Sequence, residues 1–413
     1  MNFRSYICGV CGKNYLPHKN RYRCSECNGP VGINYDYTGA ASLFSPEILT
    51  RRKPGVWKYR GLLPVAPEIQ PVSLGETGTP LHEAGRLSGY LGLSHVYLKD
   101  EGRNPTGSFK DRGTSVGMTV AVERGEKAVG TLSHGNMGTS VAAYAAKAGL
   151  PCYIFAPADI TRARLGFLSV YGATVIQVRG EYDEAYDRSL EIGDRHGIFF
   201  INSDNPFRTE GSKTIAFEIW EDLGRSVPDW VVTPASSGGL ASGIYKGFVE
   251  LKEMGYLSHV PKIAIIQPEL GKPIVSAFQS GAETITRRDH EYTSIVRSLG
   301  NPYPPSGNRV LKLMREFDGT ALSVSDGETI EAQRNLARYE GILAEPAGAV
   351  ALAGLKRLIG LRMVSEEQRV VLVVSGAGFR DPGDIESLAD TPTVIDIANL
   401  ESVIQECNKP GSR

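Results

Sequence analysis

Between residues 110 and 270, short Val/Ile-rich runs alternate with longer helical stretches, and this alternation limits the architecture more than any other feature of the chain. The expected order is helix 110–124, strand 128–132, helix 136–149, strand 151–156, helix 160–171, strand 174–178, helix 181–195, strand 198–201, helix 208–223, strand 229–233, helix 239–255 and strand 262–267. Short apolar strands separated by helices predict a parallel, doubly wound sheet, or two such sheets, covered on both faces. The fold class is α/β. A strand at 95–99 precedes the run; helices at 328–340 and 346–359 and a strand at 370–374 follow it. Residues 270–325 are less regular, with a loop at Asn301-Pro302-Tyr303-Pro304-Pro305, and the tail from 393 reads as a strand and a helix. No internal repeat is evident.

At 413 residues the chain is long for one core, so two or three packed units are expected. Its 41% apolar residues support a sizeable core, and 22% charged residues argue against disorder. A net charge of −1 without a dense basic block gives no support for a nucleic acid or an anionic membrane as partner. No apolar run approaches the ~20 residues of a membrane span, and Met1–Tyr6 lacks the apolar core of a signal peptide. The expectation is a soluble cytoplasmic protein.

Four of the six cysteines form two CxxC pairs, Cys8/Cys11 and Cys24/Cys27, with twelve residues between them. Each CxxC turn presents two thiolates on one side, so two turns supply four tetrahedral ligands, and structural zinc is the leading expectation. Iron in the same sulfur cage, or an empty site, are the alternatives. His18 between the pairs reads as a loop residue. A closed four-thiolate site has no open position, which makes the module a staple and not a catalyst. The remaining Cys152 and Cys407 are too few for a disulfide framework, and a reducing compartment fits.

Residues 30–75 read as an irregular connector broken by Pro46, Pro54, Pro64, Pro67 and Pro71, and pinned to the main body by Trp57, Tyr59, Leu62 and Leu63. A turn cluster follows at 75–81. In doubly wound sheets, function gathers in the loops at the carboxyl ends of strands. Four such loops are unusual here. Ser133-His134-Gly135-Asn136-Met137-Gly138 opens a small-residue helix whose N–H groups could receive an anion, or it is an ordinary N-cap. Asn202-Ser203-Asp204-Asn205-Pro206-Phe207-Arg208 combines amide, hydroxyl and guanidinium as an oxyanion site requires, or is a turn with a surface arginine. In Ser236-Ser237-Gly238-Gly239 the glycines let backbone N–H groups wrap a phosphate, although neither a Walker sequence nor a dinucleotide fingerprint is present. Ser375-Gly376-Ala377-Gly378 ends a strand and, taken alone, is a tight turn.

One more stretch carries chemistry. Asn104-Pro105-Thr106-Gly107-Ser108-Phe109-Lys110-Asp111-Arg112-Gly113 is a hydroxyl-rich turn that delivers Lys110 into the first turn of a helix. Desolvation there would lower the lysine's pKa and favour the neutral amine that builds Schiff bases. A solvated surface lysine is the plain alternative.

Together these motifs resemble the fold-type II pyridoxal-phosphate enzymes, and among them most closely the threonine synthases. The resemblance covers nearly the whole chain and rests on the decapeptide 104–113, on the run 202–214 with Arg208, Glu210-Gly211 and Lys213-Thr214, and on Glu345-Pro346-Ala347-Gly348-Ala349. It implies two doubly wound subdomains of the tryptophan-synthase-β-like kind plus a small N-terminal zinc ribbon. The implied boundaries are 1–35 for the ribbon, 36–113 with 206–413 for a large cofactor-binding subdomain, and 114–205 for a small mobile one. It further implies Lys110 as the Schiff-base lysine and proton shuttle, and Asn136 as hydrogen-bonded to the cofactor's ring oxygen. Ser236, Ser237, Gly238 and Gly239 would cradle the cofactor phosphate, and Ser375 would face the pyridine nitrogen. Ser133 and Gly135 would hold the substrate carboxylate, with Asn202, Ser203 and Arg208 on the substrate phosphate. The implied reaction converts the amino-acid phosphate O-phosphohomoserine and water to threonine and phosphate, in a homodimer.

Two positions depart from the family pattern. Threonine synthases generally carry Ser-Gly-Asn-Thr in the asparagine loop, where this chain has His134-Gly135-Asn136-Met137, and a thioether cannot replace the hydroxyl. The family's Gly-Asn-Gly-Gly-Asn becomes Ser236-Ser237-Gly238-Gly239-Leu240. Two other readings stay open: a related serine/threonine dehydratase or β-replacement enzyme acting on an O-activated serine, and a catalytically silent protein that uses its ribbon to bind partners.

Overall fold

The computed structural model describes residues 3–17, 21–76, 78–133, 135–287 and 294–380, together with 385, 388, 389, 392 and 394–407. His18 and His134 lie outside the described residues. The chain opens with β1 (Phe3–Cys8), β2 (Asn14–Tyr15) and β3 (Val31–Tyr35), an antiparallel sheet in the order β2–β1–β3. The connector is more regular than expected. Besides β3 it holds α1 (Tyr37–Leu43), α2 (Pro46–Thr50) and a 3-10 turn, Val56–Leu62. The prolines punctuate these short elements, and Pro46 starts one, since the first helical position needs no N–H. Tyr59, Leu62 and Leu63 are buried as expected, and Trp57 Nε1 donates to Ser115 Oγ at 2.9 Å.

The main body is two parallel sheets. From the turn cluster come β4 (Leu81–Glu83), α3 (Gly85–Leu91), β5 (His95–Asp100) and then α4 (Lys110–Glu123). The first alternating run is β6 (Ala128–Leu132), α5 (Asn136–Ala148), β7 (Cys152–Pro157), α6 (Arg162–Ser169), β8 (Thr174–Val178), α7 (Tyr182–His196) and β9 (Ile198–Phe200). After α8 (Pro206–Ser212) and α9 (Thr214–Asp222) the second run is β10 (Trp230–Pro234), α10 (Gly239–Glu253), β11 (Lys262–Pro268), α11 (Pro273–Gln279), α12 (Gly307–Glu316), β12 (Thr320–Val324), α13 (Asp326–Glu340), α14 (Pro346–Gly360) and β13 (Arg369–Val374).

The smaller sheet has the order β8–β7–β6–β9 and the larger β12–β11–β10–β13–β5–β4, all parallel except the edge strand β4. Strands β6 to β9 and β10 to β13 thus follow one topology, stepping outward twice and then returning to the far side of the first strand. The reversal falls between β6 and β9 in one sheet and between β10 and β13 in the other. Crevices at the carboxyl ends of such reversals are where open α/β sheets bind ligands. Apolar side chains throughout these strands fill the core: β10 is buried along its whole length, as are the Val and Leu residues of β13.

Three expectations are corrected. The helix expected at 208–223 is two, separated at Lys213, whose Nζ is buried between Glu210 (2.7 Å) and Glu250 (2.8 Å). Residues 270–325 contain α11, α12 and β12, concealed because their buried residues, such as Val310, Leu311 and Met314, are interleaved with charges. In the tail, the described residues from 394 to 407 hold a 3-10 turn and a helix, Leu400–Cys407, with no strand among them.

Candidate functional site

Lys110 is the first residue of α4 and stands on the floor of a cleft between the two sheets. Most of the decapeptide that presents it is scaffold. Gly107 takes φ +80, a left-handed turn that a side chain would strain. Thr106 donates to Asp111 through both N and Oγ1 at 2.6 Å, and Ser140 Oγ donates to the same carboxylate at 2.6 Å. Asn104 Nδ2 reaches the Glu101 carbonyl (2.9 Å) and carboxylate (3.0 Å). Arg112, fully buried, forks between Glu101 (2.7 Å) and Glu218 (2.6 Å). The turn is also stitched to the loop after β13: Phe109 N donates to the Ser375 carbonyl at 3.1 Å, and Ala377 N to the Gly107 carbonyl at 2.9 Å. What this frame leaves to the cleft is the lysine, its Nζ 4.3 Å above the Phe109 ring. Burial pushes its pKa down to about 7, the Arg208 guanidinium pushes further in that direction, and the Glu345 carboxylate opposes both.

The four loops singled out in the sequence converge on this lysine. Ser133, Gly135, Asn136, Ser203, Arg208, Ser236, Ser237, Gly238, Gly239 and Ser375 all line the cleft. They arrive from the carboxyl ends of β6, β9, β10 and β13, the four strands at the two topological reversals. Ser236 to Gly239 run from β10 into α10, with Gly238 at φ +85 as its N-cap. The first intrahelical bond of α10 is Ser242 N to the Gly238 carbonyl (2.9 Å), so the N–H groups before it are directed out of the helix end. A Cβ on Gly239 would lie 3.1 Å from the Ser203 carbonyl oxygen, so the phosphate-type loop of one sheet meets the Ser203 loop of the other.

Asn202 does not line the cleft. Its side chain is fully buried, accepting from Leu132 N (3.0 Å) and donating to Ser189 Oγ (2.9 Å), which fastens the end of β9 to β6 and α7. Ser133 Oγ accepts from Gly135 N (3.2 Å) and Gly138 N (3.0 Å) while the residue still faces the cleft, and the N-cap of α5 is Gly135, not a serine or asparagine. Arg208 is 4% exposed and its Nη1 lies 3.5 Å from the Asn202 carbonyl oxygen, so it is not the surface arginine of the plain reading. Met137 lines the cleft and is packed into the core.

Sequence reasoning gave no role to Glu345, Ser298, Asn301, Thr209 or Ser212, all of which line the cleft. Glu345 precedes α14 and accepts from Asn136 Nδ2 at 2.8 and 3.0 Å. The available signal was a carboxylate immediately before a proline that starts a helix, a position that points toward the helix N-terminus.

The second cluster is at the N-terminal sheet. The sulfurs of Cys8, Cys11, Cys24 and Cys27 all lie within 4.8 Å of one another, with Cys8 Sγ 3.5 Å from Cys27 Sγ and Cys11 Sγ 3.6 Å from Cys24 Sγ. These separations exceed the ~2 Å of a disulfide and are close to the ~3.8 Å edge of a tetrahedron with ~2.3 Å metal–sulfur bonds. Val10 N and Cys11 N point at Cys8 Sγ (3.4 Å each) and Glu26 N at Cys24 Sγ (3.4 Å), as donors that stabilise thiolates. Among the described residues this is the only such metal-type cluster, and no helix is long and apolar enough to cross a membrane.

A family model for "Pyridoxal-phosphate dependent enzyme" matches residues 72–376. The chain is 40% identical over 398 residues to a threonine synthase of Methanosarcina acetivorans, covering 96% of each chain. It is 40% identical over 403 residues to a threonine synthase of Methanocaldococcus jannaschii, covering 97% of this chain and 99% of the other. In fold it is similar to threonine deaminase isoform 2 of Solanum lycopersicum, with a TM-score of 0.64 at 22% identity over 76% of this chain and 87% of that one.

Proposed function

The chain belongs to the pyridoxal-phosphate-dependent enzymes and, within them, to the threonine synthases, and from that membership we infer the reaction: O-phosphohomoserine and water become L-threonine and inorganic phosphate. The observation that carries it is the convergence of Lys110, the Ser236–Gly239 loop, Ser375 and Arg208 on one cleft. The dehydratase and β-replacement reading is not favoured, because the long matches near 40% identity are to threonine synthases while the deaminase is similar at 22%. The retained Lys110 and its cleft weigh equally against a silent ribbon protein.

The residues present fit pyridoxal phosphate. A left-handed glycine and the outward N–H groups of the first turn of α10 suit a dianion. A buried neutral hydroxyl, Ser375, and a lysine with pKa near 7 complete the set. When bound, the cofactor supplies an electron sink for negative charge developing on the amino-acid carbon skeleton. The protein's part is then specific. Lys110 Nζ holds the cofactor and afterwards moves the substrate's α proton, a task its lowered pKa suits. Ser375, a neutral hydroxyl lining the cleft, would face the ring nitrogen without holding it protonated and so would moderate the sink. Ser133 and Gly135, at the start of α5, would orient the substrate carboxylate, and Asn136 would reach the ring oxygen once its amide turns from Glu345. Ser203 and the Arg208 guanidinium hold the substrate phosphate as it leaves. Asn202 supports that end through its backbone and by fixing the loop. Closure of a smaller unit, 114–205, over the remainder (36–113 with 206–413) would exclude water until the addition step.

The cysteine cluster in the 1–35 ribbon holds structural zinc in this reading, and four thiols kept for metal suit the reducing cytoplasm. The working form is a homodimer. The test is a panel assay with pyridoxal phosphate and O-phosphohomoserine, phosphoserine, threonine and serine, measuring phosphate and oxoacid separately. Threonine and phosphate in equal amounts from O-phosphohomoserine are expected. Phosphate without threonine, or oxoacid from serine or threonine as the main product, would reject the reaction.

A further inference from the structure

Helix α12 touches both the cysteine knuckle and the loop that cradles the cofactor phosphate. On one side Ser306 N, just before the helix, donates to the Ser237 carbonyl at 2.9 Å. A Cβ on Gly238 would lie 3.1 Å from both the Ser306 carbonyl carbon and Val310 Cγ2. The loop therefore has no slack against the first turn of α12. On the other side the Arg309 side chain lies across two ribbon glycines: a Cβ on Gly9 would meet Arg309 Cδ at 2.6 Å, and one on Gly32 would meet Nη1 at 2.9 Å. One turn later Lys312 Nζ reaches the Val10 carbonyl at 3.3 Å. Gly9 and Val10 are the two residues between Cys8 and Cys11, so the Arg309 stem and the Lys312 ammonium lie on the metal knuckle, while the Arg309 Nη1 reaches Gly32 in β3 beside it.

Charge explains the pairing. Four thiolates around one divalent ion leave two net negative charges. Arg309 and Lys312 of α12 place two positive charges beside that ribbon. Other carboxylates near Arg309, Glu210 and Glu250, are already engaged with Lys213 and Lys246.

We propose that Arg309 is a positioning residue through which the metal-loaded ribbon holds α12, and with it the Ser237-Gly238 turn, in the geometry that binds the cofactor phosphate. The ribbon is then a support for cofactor affinity about one helix away from the chemistry. This rests on the cofactor assignment above, and cofactor binding can be read without any substrate.

The experiment is a double cycle on the full chain: pyridoxal-phosphate dissociation constants for the unaltered protein, Arg309→Met and Arg309→Lys, each with metal and after stripping by a chelator. Arg309→Met is expected to weaken the cofactor about tenfold in the metal-loaded protein, as supporting-shell changes do, with kcat at saturating cofactor unchanged. Arg309→Lys should recover most of the affinity. Stripping should weaken the unaltered protein by a similar factor and add nothing to Arg309→Met, since both remove one link. Unchanged affinity in folded Arg309→Met, or stripping that costs as much in that variant as in the parent, would overturn the proposal. Should Arg309→Met fail to fold, Lys312→Met at the exposed second contact carries the same cycle, with the same non-additivity expected and additivity overturning it. Absence of any cofactor binding by the unaltered chain would reject the family reading, and this inference with it.

Discussion

The side-chain amide of Asn136 donates to both oxygens of the Glu345 carboxylate, at 2.8 and 3.0 Å, and so bridges the start of α5 in the small sheet and the start of α14 in the large one. The same carboxylate opposes the loss of a proton from Lys110, while Arg208 promotes it. The lysine's charge is thus set from both sheets at once.

The first prediction concerns that charge. In the cofactor-free protein Lys110 titrates near 7, lowered first by burial and then by Arg208. Only the neutral amine attacks a carbonyl. The rate at which pyridoxal phosphate is captured should rise with pH through about 7 and level off above it. Arg208→Ala should move the midpoint up, and Glu345→Gln should move it down. Stopped-flow absorbance across pH 5–10 decides, and a midpoint in the ordinary lysine range for the unaltered protein would refute it.

The same group has a cost in stability. Unfolded, Lys110 keeps its proton up to its ordinary value of 10.5; folded, it gives the proton up near 7. Across that window the unfolded chain binds more protons, so stability rises with pH and the deficit is complete below about 7. Cofactor-free Lys110→Met should therefore unfold at higher urea than the parent at pH 7, with the advantage shrinking as pH approaches 10.5. Parallel urea curves at several pH values measure it, and a constant difference would reject the linkage.

Arg208 should matter most when the leaving group is a phosphate. On the proposed assignment, replacing it by alanine removes a guanidinium that would meet developing charge on the departing group, an expected effect of roughly 10²–10³ in turnover. The loss with O-phosphohomoserine should appear chiefly in kcat, while cofactor affinity, measured well above pH 7 where Lys110 is neutral with or without Arg208, changes little. A drop in cofactor affinity without a drop in kcat would place Arg208 on the wrong phosphate.

How much of this was legible in the sequence depends on what sets each feature. Strands such as β10 and β13 are apolar at nearly every position because they are buried on both faces, and that pattern is local. The loops after them are legible for the same reason, since small and hydroxyl residues interrupt an apolar run. Helix α12 is not, because Val310, Leu311 and Met314 are buried while Arg309 and Lys312 serve the ribbon. Asn202 and Glu345 mark the limit at the site. Nothing near Asn202 shows that Leu132 and Ser189 will occupy its amide, and nothing near Glu345 shows that Asn136, over two hundred residues earlier, will turn its carboxylate into the cleft. The decapeptide's hydroxyls, which read as the polar surroundings of Lys110, include a Thr106 spent on Asp111.

The buried charge network beneath Lys110 makes a stability prediction. Arg112 satisfies Glu101 and Glu218, and Lys99 also meets Glu218 at 2.9 Å. Arg112→Met leaves buried carboxylate without its main partner and should cost about 3–5 kcal/mol. Despite burial, Arg112 and Lys99 hold Glu218 down at about 2, against its ordinary 4.5. Its contribution is present above 4.5 and is lost as pH falls toward 2. Glu218→Gln should flatten the acid side of the stability profile in that window, and an unchanged acid limb would show that other carboxylates control it.

Gly211 offers a test of how closely α8 must approach α4. A Cβ there would lie 2.1 Å from the Arg112 carbonyl oxygen and 2.7 Å from Gly113 Cα, both rigid backbone. Gly113 returns the contact, since its own Cβ would meet the Arg208 carbonyl oxygen at 2.8 Å. Helix α4 carries Lys110 and α8 carries Arg208, so this glycine crossing sets the spacing of the two cations in the cleft. Gly211→Ala has to push the helices apart, and overpacking of this kind costs about 1–3 kcal/mol. Moving Arg208 away from Lys110 weakens their repulsion, so the Lys110 midpoint should rise along with the loss of stability. A Gly211→Ala protein that is destabilised but keeps its midpoint near 7 would show that burial alone sets the lysine's charge.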